Sequence, residues 1–119
     1  MKFAITTQGP ESNSPVDLRF GRARFFCIVD TETGQQMTVD NADGVNAVQG
    51  AGVQAAQTLA RLGVQTVLTG HVGPKAQSAL QAAKIQVYAL DGGTVEQASQ
   101  AFMAGQLRAL DTADVRGHW

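Results

Sequence analysis

Two short apolar stretches constrain this chain more than any other feature. Residues 64–69 (VQTVLT) and 85–90 (IQVYAL) each lie between two stretches of helical patterning. That length and apolar density suit buried strands, and strands alternating with helices define βα units with parallel pairing. Each parallel connection takes a right-handed crossover. The first forty residues follow another rule. Residues 1–7 alternate Phe3 and Ile5 with Lys2, Ala4 and Thr6. Residues 23–30 (ARFFCIVD) are apolar on both faces, as a central strand requires. A turn at 31–34 leads to residues 35–41 (QQMTVDN), where Met37 and Val39 share one face, the pattern of an edge strand.

The helical stretches carry their own punctuation. Residues 50–62 place Val53, Ala56, Leu59, Ala60 and Leu62 on one stripe, and Gly63 stops them. Pro74 opens a second helix over 74–83, with Ala76, Ala79, Leu80 and Ala83 inward. Thr94 and Gln97 have the spacing of a capping box, Val95, Ala98 and Phe102 face inward, and Gly105 ends that helix. Residues 8–15 and 42–49 read as loops, and 16–22 as an irregular basic segment. The order βββαβαβα predicts an α/β fold of ribonuclease-H-like type. Its five-stranded mixed sheet, in order 3-2-1-4-5, is flanked by helices. With 119 residues there is room for one domain. It is expected over 1–107, with 108–119 as a C-terminal tail.

Composition narrows the function. Nine Lys and Arg against ten Asp and Glu leave a net charge of -1, which disfavours a nucleic-acid binder. The single cysteine, Cys27, allows no intramolecular disulfide and no all-cysteine zinc or iron–sulfur site. It reads as a buried structural thiol. The start, MKFAITTQG, is not expected to act as a signal peptide, and no run approaches the roughly 20 apolar residues of a membrane span. A soluble, cytoplasmic protein is expected.

Ligands of open parallel sheets favour the carboxyl ends of the strands, near the point where strand order reverses. Glycines cluster on that edge: Gly50 and Gly52 at one helix start, Gly70 and Gly73 at the next, and Gly92, Gly93 and Thr94 at the third. Helix N-termini offer unpaired N–H groups and the positive end of a dipole, so the rim is expected to take an anion. Arg19, Phe20 and Arg22 are candidates to add charge and an apolar wall, while Arg24 is expected in solvent and Phe25 and Phe26 in the core. Lys75 adds charge at the second helix. His71, at a strand end, is a candidate to orient a ligand or bind a metal. The sequence Gly50-Ala51-Gly52-Val53-Gln54-Ala55 lacks the strand and acid of a dinucleotide site, and Gly70 to Lys75 is too short for a P-loop.

Phe20-Gly21-Arg22-Ala23 followed by Ile28-Val29-Asp30, with Gly50 to Ala56, Gly70 to Ala76 and Gly92 to Ala98 in that order, resembles the nitrogenase iron–molybdenum cofactor biosynthesis family. That family includes NifX-like carriers and the C-terminal domain of NifB. The resemblance covers residues 1–107 and is nearest the branch of small stand-alone members. It implies a non-enzymatic carrier holding a metal–sulfur cluster without covalent bonds. The cluster is a molybdenum–copper sulfide or a related molybdenum or iron–sulfur cluster. It further implies association with a P-loop ATPase or a cluster-recipient protein. Two other readings stand beside it. One is a regulatory or scaffold module that binds a protein partner along residues 35–41. The other is an enzyme acting on a small anionic metabolite, with His71 or Asp91 as base.

Overall fold

The computed structural model describes residues 1–110. Its strands are β1 (Lys2–Thr7), β2 (Phe25–Asp30), β3 (Gln36–Asp40), β4 (Thr66–Thr69), β5 (Gln86–Ala89) and β6 (Arg108–Ala109). Its helices are α1 (Ala42–Asn46), α2 (Ala51–Arg61), α3 (Pro74–Ala82) and α4 (Val95–Met103). The sheet runs β3-β2-β1-β4-β5-β6. β1 pairs antiparallel with β2 and parallel with β4, and β4 pairs parallel with β5. This is the expected order with one strand more. β6 pairs antiparallel with β5 through Ala109 and Arg108, at the start of the segment expected as a tail. Residues 111–119 of that segment lie outside the described residues.

β1 sits mid-sheet because its residues are apolar on both faces. Ala4, Ile28, Val67 and Val87 meet Ala55, Ala56 and Leu59 of α2 and Ala76 and Leu80 of α3. On the other face Phe3, Ile5, Cys27 and Leu68 meet Val95 and Ala98 of α4. The Phe102 ring stacks at a tilt on Phe3, 4.8 Å between centroids, and meets Tyr88 edge-on at 5.3 Å. The expected stripes shift slightly. Ala60 and Ala83 are exposed, and Ala55 and Gln77 are buried in their place. β3 is an edge strand as read, with Met37 47% exposed. The stretch 42–49 is not all loop, because α1 occupies its first five residues. Phe26 is core, but Phe25 is only half-buried, with the Arg24 guanidinium over its ring at 5.4 Å.

Residues 14–22 cross the carboxyl ends of β1 and β4 as a strap. The Asp17 N–H donates to the Thr6 carbonyl at 2.8 Å, and the His71 N–H to that of Leu18 at 2.6 Å. Thr6 Oγ1 donates to the Asp17 carbonyl at 2.6 Å and lies 2.7 Å from Thr69 Oγ1. The strap then lies directly on α2. A Cβ at Gly21 would fall 2.5 Å from the Gly52 nitrogen and 2.7 Å from its Cα. Neither backbone atom can move aside cheaply, so overpacking applies in full. Gly21→Ala is therefore expected to cost about 1–3 kcal/mol, read as a lower urea midpoint at unchanged slope.

A cavity between two helix starts

α2 and α3 pack on the same sheet face, and their N-termini come out side by side. Between them is a cavity of about 390 Å³. Gly50, Ala51 and Gly52 form its α2 wall, and Gly73, Lys75 and Ala76 its α3 wall. Arg22 closes one side, and Val48, Gln49 and Val53 complete the lining. Gly50 has φ +76°, the left-handed turn that swings the chain into α2 and suits glycine. No side chain caps either helix start, and neither has an acid in its first turn. The free N–H groups and two dipole ends therefore face the cavity without compensation. Lys75 and Arg22 add formal positive charge, and among the described residues no carboxylate lines the wall. The arrangement favours an anion with some apolar surface, since Val48 stands 96% exposed at its lip.

Of the residues expected from sequence, Arg22, Gly50, Gly52, Gly73 and Lys75 meet here. The others do not. Phe20 is fully buried in the core under α2 and α3, so it forms no wall of the site. The apolar wall comes from Val48 and Val53 instead, which sequence reasoning missed. Val48 was hidden in a stretch with no periodicity, and Val53 was assigned to the core stripe. Arg19 turns away and grips the buried Asp17 carboxylate through Nε and Nη2, each at 3.2 Å. That contact and its charge push the Arg19 pKa up, and the pair is locally neutral. Gly70 lets the strap pass, because a Cβ there would meet Leu18 at 2.6 Å. His71 bridges Arg19 through the backbone, and its side chain is exposed outside the cavity lining.

The third helix start does not join the other two. α4 packs on the opposite sheet face, and its donors are occupied. The Val95 and Glu96 N–H groups donate to the Ser14 and Ser12 carbonyls at 3.0 and 2.9 Å. Thr94 Oγ1 accepts from the Gln97 N–H at 3.2 Å, completing the capping box. Gly92 and Gly93 form the turn before it, at φ 143° and 94°. The expected convergence of three helix starts is thus corrected to two. Thr94→Ala is expected to cost about 1 kcal/mol of stability, the usual price of a lost cap, while anion retention in the cavity is unchanged.

Cys27 lies in the α4-side core, across the sheet from the cavity. Burial pushes its thiol pKa up. The unfolded thiol ionises near its ordinary value of about 8.5. The folded one keeps its proton longer, so this group's contribution to stability is complete below that pH and declines above it. Cys27→Ala is expected to flatten the alkaline limb of a stability–pH curve and to leave the cavity's binding intact. Loss of binding in the folded variant counts against the partition.

The chain belongs to the family described as dinitrogenase iron-molybdenum cofactor, which it matches over residues 1–105. It is similar to the apo form of the orange protein from Desulfovibrio gigas, with 45% identity, 96% of each chain covered and a TM-score of 0.92. A putative NifB protein from Thermotoga is 37% identical over 98% of each chain, with a TM-score of 0.86. An uncharacterized protein of Methanocaldococcus jannaschii is 27% identical over 113 residues, 93% of this chain and 92% of its own.

Proposed function

We propose that this protein is a non-enzymatic carrier that docks an anionic molybdenum-containing metal–sulfur cluster without covalent attachment. The observation that carries this reading is the α2–α3 cavity, where two uncapped helix starts, Arg22 and Lys75 meet with no carboxylate among the described residues. The donor set suits a sulfide-rich anion that brings its own sulfur. N–H groups and cations hydrogen-bond to sulfides, and the chain's one thiol is on the far side of the sheet. Among the described residues no three His, Cys, Asp or Glu side chains gather as a ligand set, so the cargo would be held by charge and hydrogen bonds. Similarity to the orange protein favours a molybdenum–copper sulfide or a related cluster as that cargo. His71 and Asp91, the bases an enzyme would use, lie outside the cavity lining, which supports carriage over turnover. A cytoplasmic site of action, and delivery to a recipient protein or P-loop ATPase, complete the proposal.

A protein partner along β3 is compatible with this reading, because among the described residues that strand leaves one edge unpaired and Met37 exposed.

The test mixes apo protein with tetrathiomolybdate and copper(I) and passes it through a desalting column. Colour is expected with the protein. Colour eluting only with the small molecules overturns the reading. Lys75→Glu reverses one charge at the α3 wall and is expected to weaken retention about tenfold. Raising salt from about 0.1 M to about 1 M shortens the screening length from about 10 Å to about 3 Å. Retention is expected to fall in parallel.

A further inference from the structure

Arg22 has two occupations. Its Nη1 donates to the Gly44 carbonyl at 3.2 Å and to the Ala47 carbonyl at 2.5 Å. Those carbonyls belong to the lip, residues 44–49, whose end carries Val48 and Gln49 into the cavity lining. A guanidinium has five N–H donors in one rigid plane. The two on Nη1 are taken by the lip. Among the described residues, Nε and Nη2 make no hydrogen bond, and Arg22 lines the cavity.

The lip has little else to hold it. α1 is five residues long, its N-cap residue Asn41 makes no side-chain cap, and the Asp40 carboxylate accepts from the Ala42 N–H at 2.6 Å, outside the lip itself. Val45 and Val48 project from it into solvent. Its inner anchor is Gly44, where a Cβ would fall 2.7 Å from the Gly21 carbonyl. Asn41 Nδ2 fixes the strap beneath, donating to the Ala23 carbonyl at 2.8 Å. Beyond Gly44 the described contacts leave Arg22 as the side chain that reaches the lip from the strap.

We infer that Arg22 is a positioning residue that couples cavity occupancy to the order of the 44–49 lip, and this rests on the carrier reading above. An anion on the free edge of the guanidinium fixes its plane. The lip carbonyls then face a stationary donor instead of a rotating one, and hydrogen bonds in such a chain polarise one another. Loading thus tightens the lip over the cargo. Lysine keeps the charge but has no planar fork to join two carbonyls to an anion.

Hydrogen exchange followed by mass spectrometry tests this. The Ala47 amide bonds within the lip, to the Gly44 carbonyl, and the Val45 amide ties the lip to the Asn41 carbonyl at its base, so their exchange reports its opening. In the empty protein, Arg22→Lys is expected to speed exchange there about tenfold, with β1 and β4 amides unchanged. Tetrathiomolybdate is expected to slow lip exchange in the wild type and not in the variant. Equal lip exchange in the two empty proteins overturns the inference, and so does equal slowing by the anion. A wild type that retains tetrathiomolybdate on a desalting column, yet shows an indifferent lip, overturns the coupling alone. A wild type that retains none overturns the carrier reading and the coupling together. Arg22→Gln, neutral but still able to reach one carbonyl, repeats the test should lysine disturb the strap. Lip exchange at the wild-type rate in that variant also overturns the inference.

Discussion

The strap across the carboxyl ends of β1 and β4 is the constraint on which the rest depends. Thr6 Oγ1, the Asp17 backbone and Thr69 Oγ1 lock it down from below, and the His71 backbone locks it from the side. In an open sheet this is the crevice where ligands usually bind. Here the chain itself fills it. The open cavity, the proposed binding site, lies outward on the face where α2 and α3 begin, and Arg22 at the end of the strap supplies one wall. Gly21 and Gly70 are the positions that let the backbone pass so closely. Phe20, next to Gly21, anchors the strap in the core.

Much of this was legible in the sequence, and the misses have physical causes. Strand identity and order followed from apolar runs and from crossover handedness, but which sheet face each helix covers was not read from them. α4 follows the last parallel strand, so no crossover rule binds it. Phe3 and Ile5, opposite Ala4, already implied a second apolar face that needed covering, and α4 covers it. The capping box at Thr94 was read correctly, yet it also meant that this helix start had spent its donors. β6 escaped because two residues show no alternation, and α1 because five residues show no helical period. Arg19 was indistinguishable from Arg22 in sequence. Only the fold shows that one faces Asp17 and the other the cavity.

Charge shows the same separation of global and local. The chain is nearly neutral, with only 16% charged residues, but among the described residues the cavity wall contains no acid. Its positive potential comes from Arg22 and Lys75 together with two helix-dipole ends, and the dipoles are a share that no count of side chains records. Sparse surface charge leaves that field little to compete with.

The central place of β1 has a consequence for how the molecule assembles. β1 pairs with β2 and β3 follows, so the antiparallel half forms from contacts close in sequence. Its other neighbour, β4, lies about sixty residues on, and such distant pairings slow folding. Until β4 and His71 join, the strap has no lateral anchor. Until α4 docks, Phe3 and Ile5 stay open to solvent on one face. The N-terminal hairpin is therefore the stretch most exposed to wrong pairing during synthesis. The cavity, which needs both the strap and the start of α3, is among the later features to take shape.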